Sequence, residues 1–201
     1  MLNHAAVEFL KPVYEYLRQN ILCQLEWTDF TCRLETYLTR RQSNSMTPVD
    51  IFPLFACLAA GGSVDQAIPA TAAWLLFILS ARIFDDLGDG QHLAEEWHGS
   101  GTQTTLAMGL FALGAANSAV AQISSGAVSK EISCAFNQAV ALAAKAQQGP
   151  ITSDAFSVRE YLSAITTKTG LIFAVGAWSG GVVAVGNSGE QTLNNFRFGF
   201  I

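Results

Sequence analysis

Hydrophobic positions recur at three- and four-residue intervals along most of the chain, the spacing of helices that bury one face. Val7, Leu10, Val13, Tyr14, Leu17, Ile21 and Leu25 trace a first apolar stripe over residues 3–25, with Pro12 as its expected kink. A second helix is expected from Asp29, placed as N-cap, through Leu34 and Leu38 to Arg40 and Arg41 in its last turn. The polar run QSNSMTP then breaks the pattern. Residues 48–60 form a third helix stopped by Gly61 and Gly62, and Ser63 with Gln66 reads as a capping box for a fourth. That fourth helix carries 68-IPATAAWLLFILSARIFDDLGDGQH-92, apolar nearly all round until it ends in three aspartates. Further helices are expected over 102–123, over 129–148 up to Gly149-Pro150, and over 158–181, where Ser157 and Glu160 form a second capping box. Ser188 opens a last one. No alternating strand pattern or hairpin signal occurs, so the expected fold class is all-α, a helical bundle.

Composition narrows the picture. Half of the 201 residues are hydrophobic and only 13% are charged, about half the usual charged share. So few charges imply helices buried on most sides and a face left over for a subunit partner, with one domain over 1–201 as the expectation. A net charge of -5 without any basic stripe excludes a nucleic-acid surface. Cys23, Cys32, Cys57 and Cys134 form no CxxC pair and read as reduced, buried, core-filling thiols of a cytoplasmic protein. Glu8, Lys11 and Pro12 interrupt what would be the apolar core of a secretory signal. The two apolar stretches, 67–81 and 171–186, fall short of the ~20 residues that cross a bilayer, so no membrane span is expected.

Candidate chemistry concentrates at two places. Asp85, Asp86 and Asp89 stand at i, i+1 and i+4, which gathers three carboxylates at one helix end. Clustered carboxylates raise one another's proton affinity unless a cation compensates them. Arg82 can supply one charge by helix pairing, and a hard divalent ion can supply the rest. Mg²⁺ suits such a set, because it takes one or two carboxylates and keeps room for water and substrate phosphates. The competing reading is a solvated acidic terminus. The second place is Lys168 with Thr169, a cation and a hydroxyl just before an apolar run; they can serve as a phosphate contact, or the lysine can simply snorkel to water.

Taken in order, 58-LAAGG-62, the helix into 85-DDLGD-89, 146-AQQG-149 and 161-YLSAITTKTGLIFAVGAWSGG-181 resemble the polyprenyl synthetase family, the all-α prenyl diphosphate synthases. The likeness spans roughly residues 44–201. It implies an isoprenoid-synthase-like bundle around a central cavity, with 85-DDLGD-89 as the first aspartate-rich motif. It also implies that Asp85, Asp86 and Asp89 bind Mg²⁺, that Lys168 and Thr169 act on the substrate diphosphate, and that Gln148 lies at the substrate-binding helix end. The implied activity is a prenyltransferase of isoprenoid biosynthesis acting on prenyl diphosphates, and the implied assembly is a homodimer or a heteromer with a related subunit.

Two basic features of that family are replaced here. Asn44, Ser45, Met46 and Thr47 stand where it carries a glycine-glycine-lysine-arginine clamp, and Glu95 and Glu96 stand where it carries arginines. The chain ends at 193-LNNFRFGFI-201, near the family's second aspartate-rich motif, so the single domain is expected to lack that part. These replacements raise a second reading beside the enzyme, a non-catalytic or regulatory subunit of the same fold.

Overall fold

The computed structural model describes residues 2–44, 48–89, 97, 99–147 and 157–186. Among them every regular element is helical, in agreement with the all-α expectation. In chain order these are α1 Leu2–Tyr16, a π-helical turn Leu17–Leu22, α2 Cys23–Leu25, α3 Thr28–Asn44, a 3₁₀ turn Pro48–Ile51, α4 Phe52–Ala59 and α5 Val64–Gly88. There follow α6 Thr102–Ala121, α7 Gly126–Gln147, α8 Val158–Ile165, a π-helical turn Thr166–Gly170 and α9 Leu171–Val185. The expected helix from Ser188, and the side chains of 41–48, lie outside what is described.

Two compact units divide the chain, Met1–Ile51 with Ile68–Gln122, and Phe52–Ala67 with Ile123–Ile201. In the first, Leu10, Val13 and Leu17 of the amino-terminal helix, Phe30 and Leu34 of α3, and Trp74, Leu76 and Leu79 of α5 are all but fully buried. Burial of such side chains stabilises by about 1.5–3 kcal/mol each before chain entropy is charged. Helix α6 meets α5 closely: a Cβ added at Gly109 would collide with Phe84, and Ser80 Oγ donates to the Gly109 carbonyl at 2.9 Å. That contact steadies α5 one turn before its aspartates. In the second unit the core is Leu54 and Cys57 of α4, Ile132 and Phe136 of α7, and Ala174 and Val182 of α9. Helices α4 and α9 approach backbone to backbone at Gly180 and Pro53.

Both capping boxes form. Ser63 N–H donates to Gln66 Oε1 at 2.9 Å and Gln66 N–H to Ser63 Oγ at 3.3 Å; Ser157 and Glu160 exchange the equivalent pair at 2.9 and 3.2 Å.

Several expectations are corrected. Asp29 lies inside the first turn of α3, where it accepts from Arg33 Nε at 3.1 Å; the chain already turns helical at Thr28, with Thr31 N–H bonded to the Trp27 carbonyl. Pro12 sits within an unbroken α1, and the departure from α geometry comes later, at Leu17–Leu22. Of the four cysteines only Cys57 is buried, while Cys23, Cys32 and Cys134 are exposed, because they fall on the outer faces of α2, α3 and α7. Finally, Val64–Gly88, Thr102–Ala121 and the run Val158–Val185 are each long and apolar enough to cross a membrane by length and composition. Alanine, glycine, serine and threonine extend the apolar windows beyond their aliphatic runs while no more than two charges enter each. Between 44% and 61% of each apolar window is buried within the protein itself.

Candidate functional site

Helix α5 is buried on nearly all sides through Ile83 and then opens into polar groups. Asp85 and Asp86 lie in its last turn and are half-buried, while Asp89 follows Gly88 and is exposed. Asp89 N–H donates to the Asp85 carbonyl at 2.9 Å, so the helical path persists one residue past the end. Acids at a helix C-terminus oppose the helix dipole, which makes this an unfavourable place for carboxylates that serve structure alone. The expected partner Arg82 turns elsewhere, donating from Nη1 to the Tyr37 hydroxyl of α3 at 3.2 Å.

Among the described residues no three His, Cys, Asp or Glu side chains are gathered closely enough to enclose a metal ion by themselves. The donor set still fits Mg²⁺, which is bound through one or two carboxylates and completes its shell with water and phosphate oxygens. Asp85 and Asp86 would hold it, and Asp89, at the exposed edge, is the outermost of the three.

An aromatic group that sequence reasoning missed lies in the first unit and reaches α5 through Tyr37. Trp97, 2% exposed, stacks on Phe30 at 6.4 Å between ring centroids and meets Tyr37 at 6.2 Å; Phe30 in turn packs against Phe111 and Trp27. Tyr37 thus touches both Trp97 and Arg82. The signal was a lone tryptophan in the polar stretch between Gly90 and Gly101. Its neighbours Glu95 and Glu96 lie outside the described residues.

Lys168 and Thr169 belong to the second unit, inside the π-helical turn Thr166–Gly170, with Lys168 half-buried and Thr169 exposed. The structure therefore places the aspartates and the lysine in different units, each on a helix that departs from regular α geometry or ends. Gln148 lies outside the described residues. Among the described residues a groove of about 400 Å³ is lined by Lys130, Glu131, Cys134, Gln138 and Trp178 of α7 and α9. It contains none of the candidate metal- or phosphate-binding residues read from the sequence.

No protein-family description matches the sequence, and no curated protein matches it at sequence level. Solved structures do. A geranylgeranyl pyrophosphate synthetase from the archaeon Geoglobus acetivorans is similar at a TM-score of 0.79 and 17% identity, over 94% of this chain and 63% of that one. The fold is that of the isoprenoid synthases. A deletion mutant of the heterotetrameric geranyl pyrophosphate synthase of mint is similar at 0.71 and 20% identity, over 100% of this chain and 80% of the other. The small subunit of geranyl diphosphate synthase from Antirrhinum majus is similar at 0.73 and 17%, over 99% and 79%. Against the archaeal synthetase the chain spans less than two thirds of the longer protein.

Proposed function

We propose that the chain binds an allylic prenyl diphosphate with Mg²⁺ and acts as a prenyltransferase of isoprenoid biosynthesis. The observation that carries this reading is the pair of half-buried carboxylates, Asp85 and Asp86, closing a helix buried on nearly all sides. The likeness to geranylgeranyl and geranyl synthases supports the substrate class. Departure of a diphosphate leaves negative charge on the leaving group, and Mg²⁺ held by the aspartates supplies the charge that stabilises it. In the second unit, Lys168 with its ammonium and Thr169 with its hydroxyl are the phosphate contacts that the resemblance implies. The apolar turns of α5 before Asp85 provide a wall that keeps water from a carbocation.

The test is thermal. Mg²⁺ with geranyl diphosphate should raise the melting temperature of the wild-type chain through linkage, and much less so that of Asp85→Ala or Lys168→Ala. An equal rise in all three proteins, or none in the wild type, rejects the site.

A second reading, a partner subunit that modifies a related synthase, is favoured by Asn44–Thr47 and by Glu95 and Glu96, which leave one anionic substrate without basic contacts. The small subunit from Antirrhinum majus shows that a chain of this fold is part of a geranyl diphosphate synthase. Light scattering of the chain alone and mixed with a complete synthase from the same organism separates the two. A homodimer that ignores the synthase supports the first; a mixed complex with altered product length supports the second.

A further inference from the structure

Among the described residues two helices slip from α into π register, and in both a side chain inside the turn bonds back to the carbonyl four residues earlier. At Leu17–Leu22 the donor is Asn20 Nδ2, which reaches the Tyr16 carbonyl at 3.3 Å, and Cys23 N–H then closes onto Arg18 O, five residues back. At Thr166–Gly170 the donor is Thr167 Oγ1, 2.9 Å from the Ser163 carbonyl, and Leu171 N–H closes onto Thr166 O, again five residues back. A carbonyl already engaged by a side chain is a poorer acceptor for the amide that would ordinarily use it, and such back-bonds bend or loosen helices. Thr36 makes the same bond to Cys32 within regular α3, so the hydroxyl alone does not create the slip. The Ser163 carbonyl carries part of a second load, since Thr166 N–H is shared between it and the Leu162 carbonyl. With the hydroxyl of Thr167 and the amide of Thr166 on one oxygen, the amides that follow reach one carbonyl further back, five residues away instead of four, as Leu171 N–H does to Thr166 O.

The widened turn holds one residue more than an α turn, so every side chain in it leaves the helix in a direction that an uninterrupted helix would not give. Lys168 is the residue whose direction matters. We propose that Thr167 is a positioning residue: its hydroxyl bond to the Ser163 carbonyl holds the π register that aims Lys168, and with it the ammonium that would meet a phosphate ligand. The phosphate part rests on Lys168 being a diphosphate contact; the positional part does not.

The experiment uses the full chain with Thr167→Val, which keeps the branched shape and removes the donor, and Thr167→Ser, which keeps the donor. Two readouts are taken at matched folding, checked by melting temperature. The first is the rate of Lys168 acetylation by acetic anhydride, followed by mass spectrometry without ligand. It should change several-fold in Thr167→Val and stay at the wild-type rate in Thr167→Ser. The second is the affinity for inorganic pyrophosphate with Mg²⁺, measured for wild type, Thr167→Val, Lys168→Ala and the double variant. Thr167→Val should weaken binding several-fold in the wild-type background and have no further effect beside Lys168→Ala, whereas a general structural role would add to it. Unchanged acetylation in Thr167→Val, or an equal change in Thr167→Ser, overturns the positioning role whether or not pyrophosphate binds. Altered acetylation with no pyrophosphate binding by the wild type leaves Thr167 as the residue that aims Lys168 and rejects the diphosphate reading alone.

Discussion

The indole Nε1 of Trp74, at the centre of α5, donates a 2.6 Å hydrogen bond to the backbone carbonyl of Val49 in the 3₁₀ turn Pro48–Ile51. Trp74 is fully buried and stacks on Phe77 at 6.2 Å between ring centroids. Replacing it by phenylalanine keeps an aromatic ring but removes the donor, and a carbonyl stripped of its partner costs about 1–3 kcal/mol. Trp74→Phe should lower the urea midpoint accordingly. An unchanged midpoint would mean that the bond is made equally well by water.

The closest helix approach in the second unit predicts a sharper loss. A Cβ at Gly180 would overlap the Pro53 carbonyl oxygen, and backbone cannot yield as a flexible side chain does. Gly180→Ala should destabilise by about 1–3 kcal/mol or more through forced separation of α4 and α9. Gly114 is the control: nothing lies within 4 Å of its added Cβ, so Gly114→Ala should stabilise α6 by about 0.5–1 kcal/mol. Chemical denaturation of both variants reads the two signs, and a stabilised Gly180→Ala would contradict the packing.

Acid should loosen the start of α8. The Ser157 side chain, and then its backbone, hydrogen-bond the Glu160 carboxylate and hold its pKa below the ordinary glutamate value. A depressed folded pKa means that the stabilisation is present above the unfolded value and is lost as pH falls through the folded one. Helical content measured by circular dichroism should therefore decline below the ordinary glutamate range, and Glu160→Gln should flatten that part of the curve. A curve with the same slope in Glu160→Gln assigns the loss to other groups.

Thiol labelling should sort the cysteines in two classes. Burial pushes the Cys57 thiol upward, which lowers its thiolate fraction, while Cys23, Cys32 and Cys134 are exposed. Maleimide under native conditions should modify three cysteines quickly and Cys57 only on unfolding. Fast modification of Cys57 would show that α4 opens readily from α9.

Chain elongation tests the missing clamps. Condensation holds two diphosphates side by side, and each needs cations that offset its desolvation. On the proposed reading, Met46 and Thr47 would supply none, and Glu95 and Glu96 would repel a diphosphate. The chain assayed alone with Mg²⁺ should elongate prenyl chains very poorly. Robust product from isopentenyl diphosphate and an allylic primer, abolished by Asp86→Ala, would show that the second set of cations lies elsewhere.

The sequence made the helices legible where local chemistry and periodicity agreed. Ser63 with Gln66 and Ser157 with Glu160 announce their capping boxes because both partners sit three residues apart in one short segment. The end of α5 was legible too, since apolar residues give way to Asp85 and Asp86 at once. The two π turns were not, because a register slip changes hydrogen-bond partners without changing which residues are apolar. Nor was the direction of Arg82: helix spacing offered it Asp85 and Asp86, whereas Tyr37 of α3 becomes its neighbour only when the first unit packs. Cys23, Cys32 and Cys134 were misplaced because cysteine is buried as a type, and only the face of each helix decides the individual case.

A helix as apolar as α5 also has a history before the fold exists. Leaving the ribosome, Val64–Gly88 emerges ahead of α6, whose Gly109 later packs on it. In that interval it offers the translocation machinery a segment long and hydrophobic enough to insert. Charges such as Arg82, Asp85 and Asp86 cost about 2.5–3.5 kcal/mol each at the centre of a membrane but little near its edge, where the end of α5 would sit. What competes with the bilayer is the packing of α5 against α3 and α6. Slowed translation between residues 88 and 102 would favour the bilayer over the fold.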